Sequence, residues 1–438
     1  MGKLIAIDRP AEELKDSGVD FIGDIPNHWG IDYINKIFVF AKTGVQPYEG
    51  AKRYYATGSV NGKDLVPEGV YNFIDKPTRA NRICNIGDII EARMKNTEKA
   101  YIVTEGYNDC LFSTGFIQIQ KSNNYLSSWV LYQLLSDSFR KAKDNLCLGA
   151  TQPQINDTNL YSIKLPVVGI DEQRLIANYL DNTVSQIDSS ISSSEKLIEQ
   201  LKLYKRAIIT EAVTKGLDPT VPMKDSGVEW IGEIPAHWEV KTVDELFDVV
   251  LGATPKSNEP DYWDGDLTWI TPADYKTSEK YIKNSKRKIT SSGYNSCSTR
   301  MLPVDSIVIS SRAPIGSVAL TAVELCTNQG CKSLVQKGEA ISPEFVYYYM
   351  SIMDKQLNII GSGTTFLELS TTNLKKFKIP FTSIEEQEVI INYLNTQTSI
   401  IDKKISHLSK TVEELECFKK ALIFECVTGK KKVIEVED

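Results

Sequence analysis

The chain has 438 residues, 42% hydrophobic and 24% charged, with a formal net charge of −7. That composition is ordinary for a soluble protein and long enough for two or three domains, each with its own core. No apolar run approaches the roughly 18 residues that span a bilayer, and the opening MGKLIAIDRPAEEL lacks a signal peptide's apolar core, so a cytoplasmic chain with no membrane contact is expected.

The first element in chain order is a segment that occurs twice. Residues 14–31, LKDSGVDFIGDIPNHWGI, return at 223–240 as MKDSGVEWIGEIPAHWEV, with 11 of 18 positions identical. A second repeat, offset by 214, matches residues 166–217 to 380–431. The organisation follows: a repeat segment at 1–29, a first insert at 30–164 and a central helix at 165–222. The repeat segment with a second insert fills 223–379, and a second helix with a tail fills 380–438. Two units are too few for a solenoid, so the expectation is a pseudo-two-fold molecule carrying two different surfaces. His28 and His237 occupy one repeat position before Trp and read as structural.

The first insert carries strand-like runs at Asp88–Ile90 and Ala100–Val103 around the cationic turn ARMKNTEK, then an aromatic-rich helix, SSWVLYQLLSDSFRKAK. Its 16 Lys/Arg against 13 Asp/Glu make a weak basic footprint. Asp88 and Glu91 near Arg93 and Lys95 are the nearest approach to a nuclease site. Their spacing fits Mg²⁺ poorly, and a strand followed by a basic loop is the simpler account.

After Pro166 the pattern becomes helical, with acids in the first turn where the helix dipole favours them. An apolar seam then steps by four and three through Ile187, Ile191, Ser194, Ile198, Leu201, Lys205, Ile208 and Ala212. That heptad rhythm predicts a helix of about 40 residues, roughly 60 Å long, stopped at Gly216.

The second insert holds a strand at Ser306–Ile309, the loop SSRAPIGSVAL and the helix SPEFVYYYMSIMDKQL. Tyr347, Tyr348 and Tyr349 read as a buried helix face. Its charge balance is 16 basic to 15 acidic. Each insert closes with a Gly/Thr-rich turn and a strand running into Pro. The second long helix then repeats the seam at Ile401, Ile405, Leu408, Val412, Leu415, Lys419, Leu422 and Cys426, stopping at Gly429. Two such seams in one chain bury each other most economically as an antiparallel pair; the alternative is that each helix packs only on its own insert.

The catalytic search is negative: there is no phosphate loop, no G-x-S-x-G elbow and no adenine-methyltransferase tetrapeptide. Eight scattered cysteines without C-x-x-C spacing suit buried thiols better than a metal.

The blocks KDSGVEWIGEIPAHWEV and IEEQEVIINYL…IID, with the T-N-L closings, resemble the specificity subunits of Type I restriction–modification systems. TPKSNEPDYWDGDLTWITPADY, SSRAPIGSVAL and TNQGCKS resemble one kind of target-recognition domain, and PTRANRICNIGDIIEARMKNTEKA another. The resemblance implies an α+β (mixed α/β) fold with two globular target-recognition domains. These would be joined by two long helices packed as an antiparallel coiled coil. It implies a non-catalytic bacterial or archaeal chain that binds double-stranded DNA, two methyltransferase subunits and restriction/translocase subunits. No cofactor would sit in this chain; S-adenosylmethionine, ATP and Mg would belong to the partners.

Candidate DNA contacts are Thr43, Gln46, Arg79, Arg82, Arg93 and Lys95 in the first insert. In the second they are Thr254, Lys256, Arg312, Gln329 and Lys332. Arg suits guanine and Gln suits adenine in the major groove. The rival readings are an unrecognised nuclease or methyltransferase and a coiled-coil scaffold that binds protein.

Overall fold

The computed structural model describes residues 3–61, 64–275, 279–312, 315–361 and 368–436. Most of the Gly/Thr-rich turn expected near residue 361, and residues 313–314 of the loop after Arg312, lie outside them. Among the described residues helix accounts for 39% and strand for 26%, the mixed α/β class expected. Two compact units emerge, Met1–Ser194 with Lys410–Asp438, and Glu195–Ser409. Each contains one repeat segment, one insert, the first part of one long helix and the last part of the other.

The long helices run Ile170–Lys215 and Ile384–Val427, 46 and 44 residues. Every seam position is buried or half-buried. Ile187, Ile208, Ile401 and Leu422 are 2–7% exposed, while Ile191, Ile198, Leu201, Ile405, Leu408, Val412 and Leu415 are half-buried, as a narrow two-helix seam allows. In the first unit Ile187 and Ile191 join Leu415 and Leu422 in one core. Both helices end at a glycine with φ of +74°, Gly216 and Gly429. At Gly429 a Cβ would come within 2.4 Å of Pro26, so no side chain fits.

The repeat segments are explained by a clasp at the start of each long helix. Trp29, 1% exposed, donates its indole N–H to Glu172 (3.0 Å), and His28 Nε2 lies 2.9 Å from the same oxygen. In the second unit Trp238 donates to Glu386 at 3.0 Å, with His237 Nε2 also at 3.0 Å. A buried indole N–H needs an acceptor, and the first helical turn favours a carboxylate there. The following residue ties in the insert. Gln173 accepts the Leu126 N–H (3.1 Å) and donates to Val168 O (2.9 Å), while Gln387 accepts the Ser342 N–H (2.7 Å) and donates to Thr382 O (2.8 Å).

Each insert is closed by a two-stranded ribbon in the same register, Gly30–Tyr33 with Lys164–Val167 and Glu239–Thr242 with Lys378–Phe381. Inside the first lie a three-stranded antiparallel sheet centred on Ile89–Ala92 and a four-stranded mixed sheet. The second has a five-stranded sheet with Cys331–Gln336 and Ile307–Ser310 inside it, and a three-stranded sheet built on Trp263–Ile270.

The aromatic-rich helices differ from expectation in being split. Ser127–Leu135 and Asp137–Leu146 are separated by Ser136, which is extended and whose hydroxyl caps the second helix by accepting the Phe139 N–H. The second insert also breaks its helix, between Pro343–Ser351 and Asp354–Ile359, but through Ile352 and Met353 without a side-chain cap. Of the three tyrosines expected on a buried face, Tyr348 and Tyr349 are buried, with hydroxyls donating to Asn395 and to Lys378 O, while Tyr347 is half-buried.

Candidate nucleic-acid interface

In the first insert the strand Ile89–Ala92 runs out between two other segments. The Arg93 N–H donates to Gly115 O (2.9 Å), and Arg93 O accepts the Ile155 N–H (2.9 Å). The Arg93 guanidinium donates to Ile155 O (3.2 Å) and to Asp157 (2.5 Å). Around this junction opens a cleft of about 470 Å³, lined by Arg79, Arg93, Thr114, Gln154, Asn156 and Asp157 among others.

The second insert repeats the junction with other side chains. Past Ile307–Ser310, the Ser311 N–H donates to Gly330 O (2.8 Å), and Ser311 O accepts the Leu369 N–H (2.9 Å). The cleft here, about 440 Å³, is lined by Gly252, Gln329, Lys332, Glu368, Ser370 and Thr371. Glu368 accepts from Arg312 Nε (3.2 Å) and Lys332 Nζ (3.4 Å), and Thr254 is hydrogen-bonded to Gln329.

The shared lining is a matter of register. Gln154, Asn156 and Asp157 stand 214 residues before Glu368, Ser370 and Thr371, the offset of the long helices. Asn156 and Ser370 each cap a short helix by accepting the N–H of Asn159 and Asn373. Those two asparagines, the N of T-N-L, donate to Leu146 O and Ile360 O, again 214 apart. The closing motif thus fixes one backbone against each cleft and leaves the lining free to differ.

Most candidate contacts gather here. Arg79 and Arg93 line the first cleft, and Lys95, two residues beyond Arg93, is exposed. Thr43 and Gln46 are exposed on a loop held to Asn81 by the N–H groups of Gly44 and Val45. Gln329 and Lys332 line the second cleft, and Thr254 and Arg312 flank it. Lys256 is exposed, its carbonyl accepting from Trp263, and is not among the lining residues.

Two expectations need correction. Arg82 is 3% exposed and donates to Ala41 O, so it braces the loop before Thr43 and is not an outward contact. It shares the inward face of Ala80–Ile83 with Ala80, as the period of two requires. Burial, with Arg93 nearby, lowers its pKa. Lys332 has only 4% of its side chain exposed and is paired with Glu368 at 3.4 Å, so it is not an outward contact. The Asp88 and Glu91 carboxylates are structural. Asp88 accepts from Asn85 N, Gln118 and Lys121 N, and Glu91 is bound to Lys143 inside the core.

A family described as the Type I restriction modification DNA specificity domain matches residues 35–203 and 235–414, most of the chain. The chain belongs to that family. The Type I restriction enzyme MjaIX specificity subunit of Methanocaldococcus jannaschii is 39% identical over 177 residues, 40% of this chain and 41% of that relative. The MjaVIII specificity subunit of the same organism is 24% identical over 428 residues, covering 93% of this chain and 94% of the relative. A chain solved in work on complex assembly and conformational transition of the type I R-M system shares the fold. Its TM-score is 0.75 at 17% identity, and the match covers 93% of this chain and 99% of that one. Among the described residues no helix is long and apolar enough to cross a membrane.

Four residues that line the clefts were not among the candidates drawn from the sequence. Gln154, Asp157, Glu368 and Ser370 come from the far ends of the inserts, next to the T-N-L motif. Extending the 214-residue register backwards from that motif was the available signal.

Proposed function

We propose that this chain is the non-catalytic DNA-recognition subunit of a Type I restriction–modification complex. Each insert reads one half of an asymmetric bipartite duplex target. The long helices set the unread gap and dock two methyltransferase subunits. S-adenosylmethionine, ATP and Mg²⁺ belong to those partners and to restriction/translocase subunits.

The observation that carries this reading is the pair of clefts, with one backbone junction and two different linings. Phosphate contacts position a protein on DNA, and base edges specify sequence. Two half-sites of different sequence therefore call for a common scaffold with unlike polar groups, which the two junctions supply. Exposed Arg79, Lys95 and Lys256 suit phosphates; Arg93 and Gln329 suit guanine and adenine edges. With so slight a basic excess in either insert, nonspecific affinity is modest and salt-sensitive.

The test is selection from randomised duplexes by the full chain assembled with its methyltransferase. Enrichment of two unlike half-sites around a gap of fixed length and free sequence is expected. A failure of the assembled complex to enrich any sequence, at low or high salt, would refute the reading.

A further inference from the structure

We propose that Gln154 and Glu368 are specificity-determining residues, each selecting one base pair in its half of the target. This rests on the DNA-reading role above and names the side chains that carry it.

Three observations converge on the pair. First, the two residues occupy one position of the 214-residue register and line the two clefts. Second, their backbones are held alike. Gln154 bridges Met94, and Glu368 bridges Arg312; the next residues, Ile155 and Leu369, donate to Arg93 O and Ser311 O. Gln154 also exchanges two 3.0 Å backbone hydrogen bonds with Leu148. A backbone held in this way fixes the point from which each side chain departs toward its cleft, which a base-reading group requires.

Third, the side chains differ in the way a reading position must. The Gln154 amide offers both a donor and an acceptor, the pattern that meets adenine N7 and N6. The Glu368 carboxylate only accepts, which suits the amino group of cytosine. A bare carboxylate beside DNA would be repelled by phosphates. Glu368 is instead held between Arg312 (3.2 Å) and the nearly buried Lys332 (3.4 Å), and its side chain remains 37% exposed. The two cations offset its charge and aim it, which gives Lys332 a positioning role.

The experiment is duplex selection by the complete assembled complex, comparing wild type with Glu368→Gln and Gln154→Glu. Glu368→Gln is expected to change the preferred base at one position of one half-site by about tenfold, the discrimination a good base contact gives, leaving the other half-site as in wild type. Gln154→Glu is expected to do the same in the opposite half. Assembled variants that both select the wild-type target would overturn the assignment while leaving the DNA-reading role intact. If either variant does not assemble, the other decides by the same criterion. A wild-type complex that selected no bipartite target would overturn the parent reading, and this assignment with it.

Discussion

Lys205 meets both oxygens of Asp402 at 2.7 Å, joining the two long helices within the second unit. Lys419 meets Asp188 at 2.9 Å within the first. Each residue of one pair lies 214 positions from its counterpart in the other. As residue numbers rise along one helix they fall along its partner, so the helices are antiparallel. The lysines that interrupt the apolar seam are the ends of these ion pairs.

The seam and the ion pairs are expected to contribute unequally. Asp402→Ala removes a half-exposed partner, so the loss is about 0.5–1 kcal/mol. Leu422, 2% exposed, becomes a cavity as alanine and costs about 2–4 kcal/mol. Denaturant unfolding of the full chain orders the two, and an equal loss would mean the seam is less well packed than its burial indicates.

Glu386 makes the second clasp sensitive to acid. Burial opposes its ionisation, but hydrogen bonds from Thr382, His237 and Trp238 outweigh that and hold its carboxyl below the ordinary 4.5. Its stabilisation is therefore complete above pH 4.5 and lost as pH falls through the lower folded-state value. Glu386→Gln should lower the melting temperature at pH 7 and flatten its fall below pH 4.5. A variant curve parallel to wild type across that range would rule out the clasp as the source.

In the first insert Lys143 is fully buried, bound to Glu91, Ala92 O and Thr97. It pins the strand leading to Arg93 to the cationic turn that follows. Burial pushes the Glu91 carboxyl up, to about 7, with Lys143 opposing. Lys143→Met leaves Glu91 buried without its cation and should cost about 3–5 kcal/mol. Adding Glu91→Leu should recover most of that loss, and calorimetry of the single and double variants reads the difference directly.

A seven-residue insertion near Ser190 keeps the seam in phase while lengthening the first helix by about 10 Å. The methylated motif should keep both half-sites and change its unread gap. An unchanged gap with activity retained would show that the helix is not the spacer.

Much of this architecture was legible in the sequence because the repeats constrain it twice. The heptad steps from Ile187 to Ala212 located the buried stripe, and Gly216 and Gly429 located its ends. The Trp–Glu clasp was hidden, since Trp29 and Glu172 are 143 residues apart and no local pattern joins them. Ser136 was read as mid-helix because its capping role depends on where the chain turns. Arg82 was misread for the opposite reason: residue type was weighed above the alternation of a short strand. The clefts escaped because each draws on segments remote from one another, such as Arg79 and Asp157 in the first.

The most direct measurement is a map of N6-methyladenine in a methylation-free bacterium expressing this chain with its methyltransferase subunit. One asymmetric motif of two unlike halves around an unread gap, absent when this chain is omitted, is the predicted result. A soluble, competent methyltransferase that leaves no such motif when this chain is present, or the same motif without it, would contradict the account.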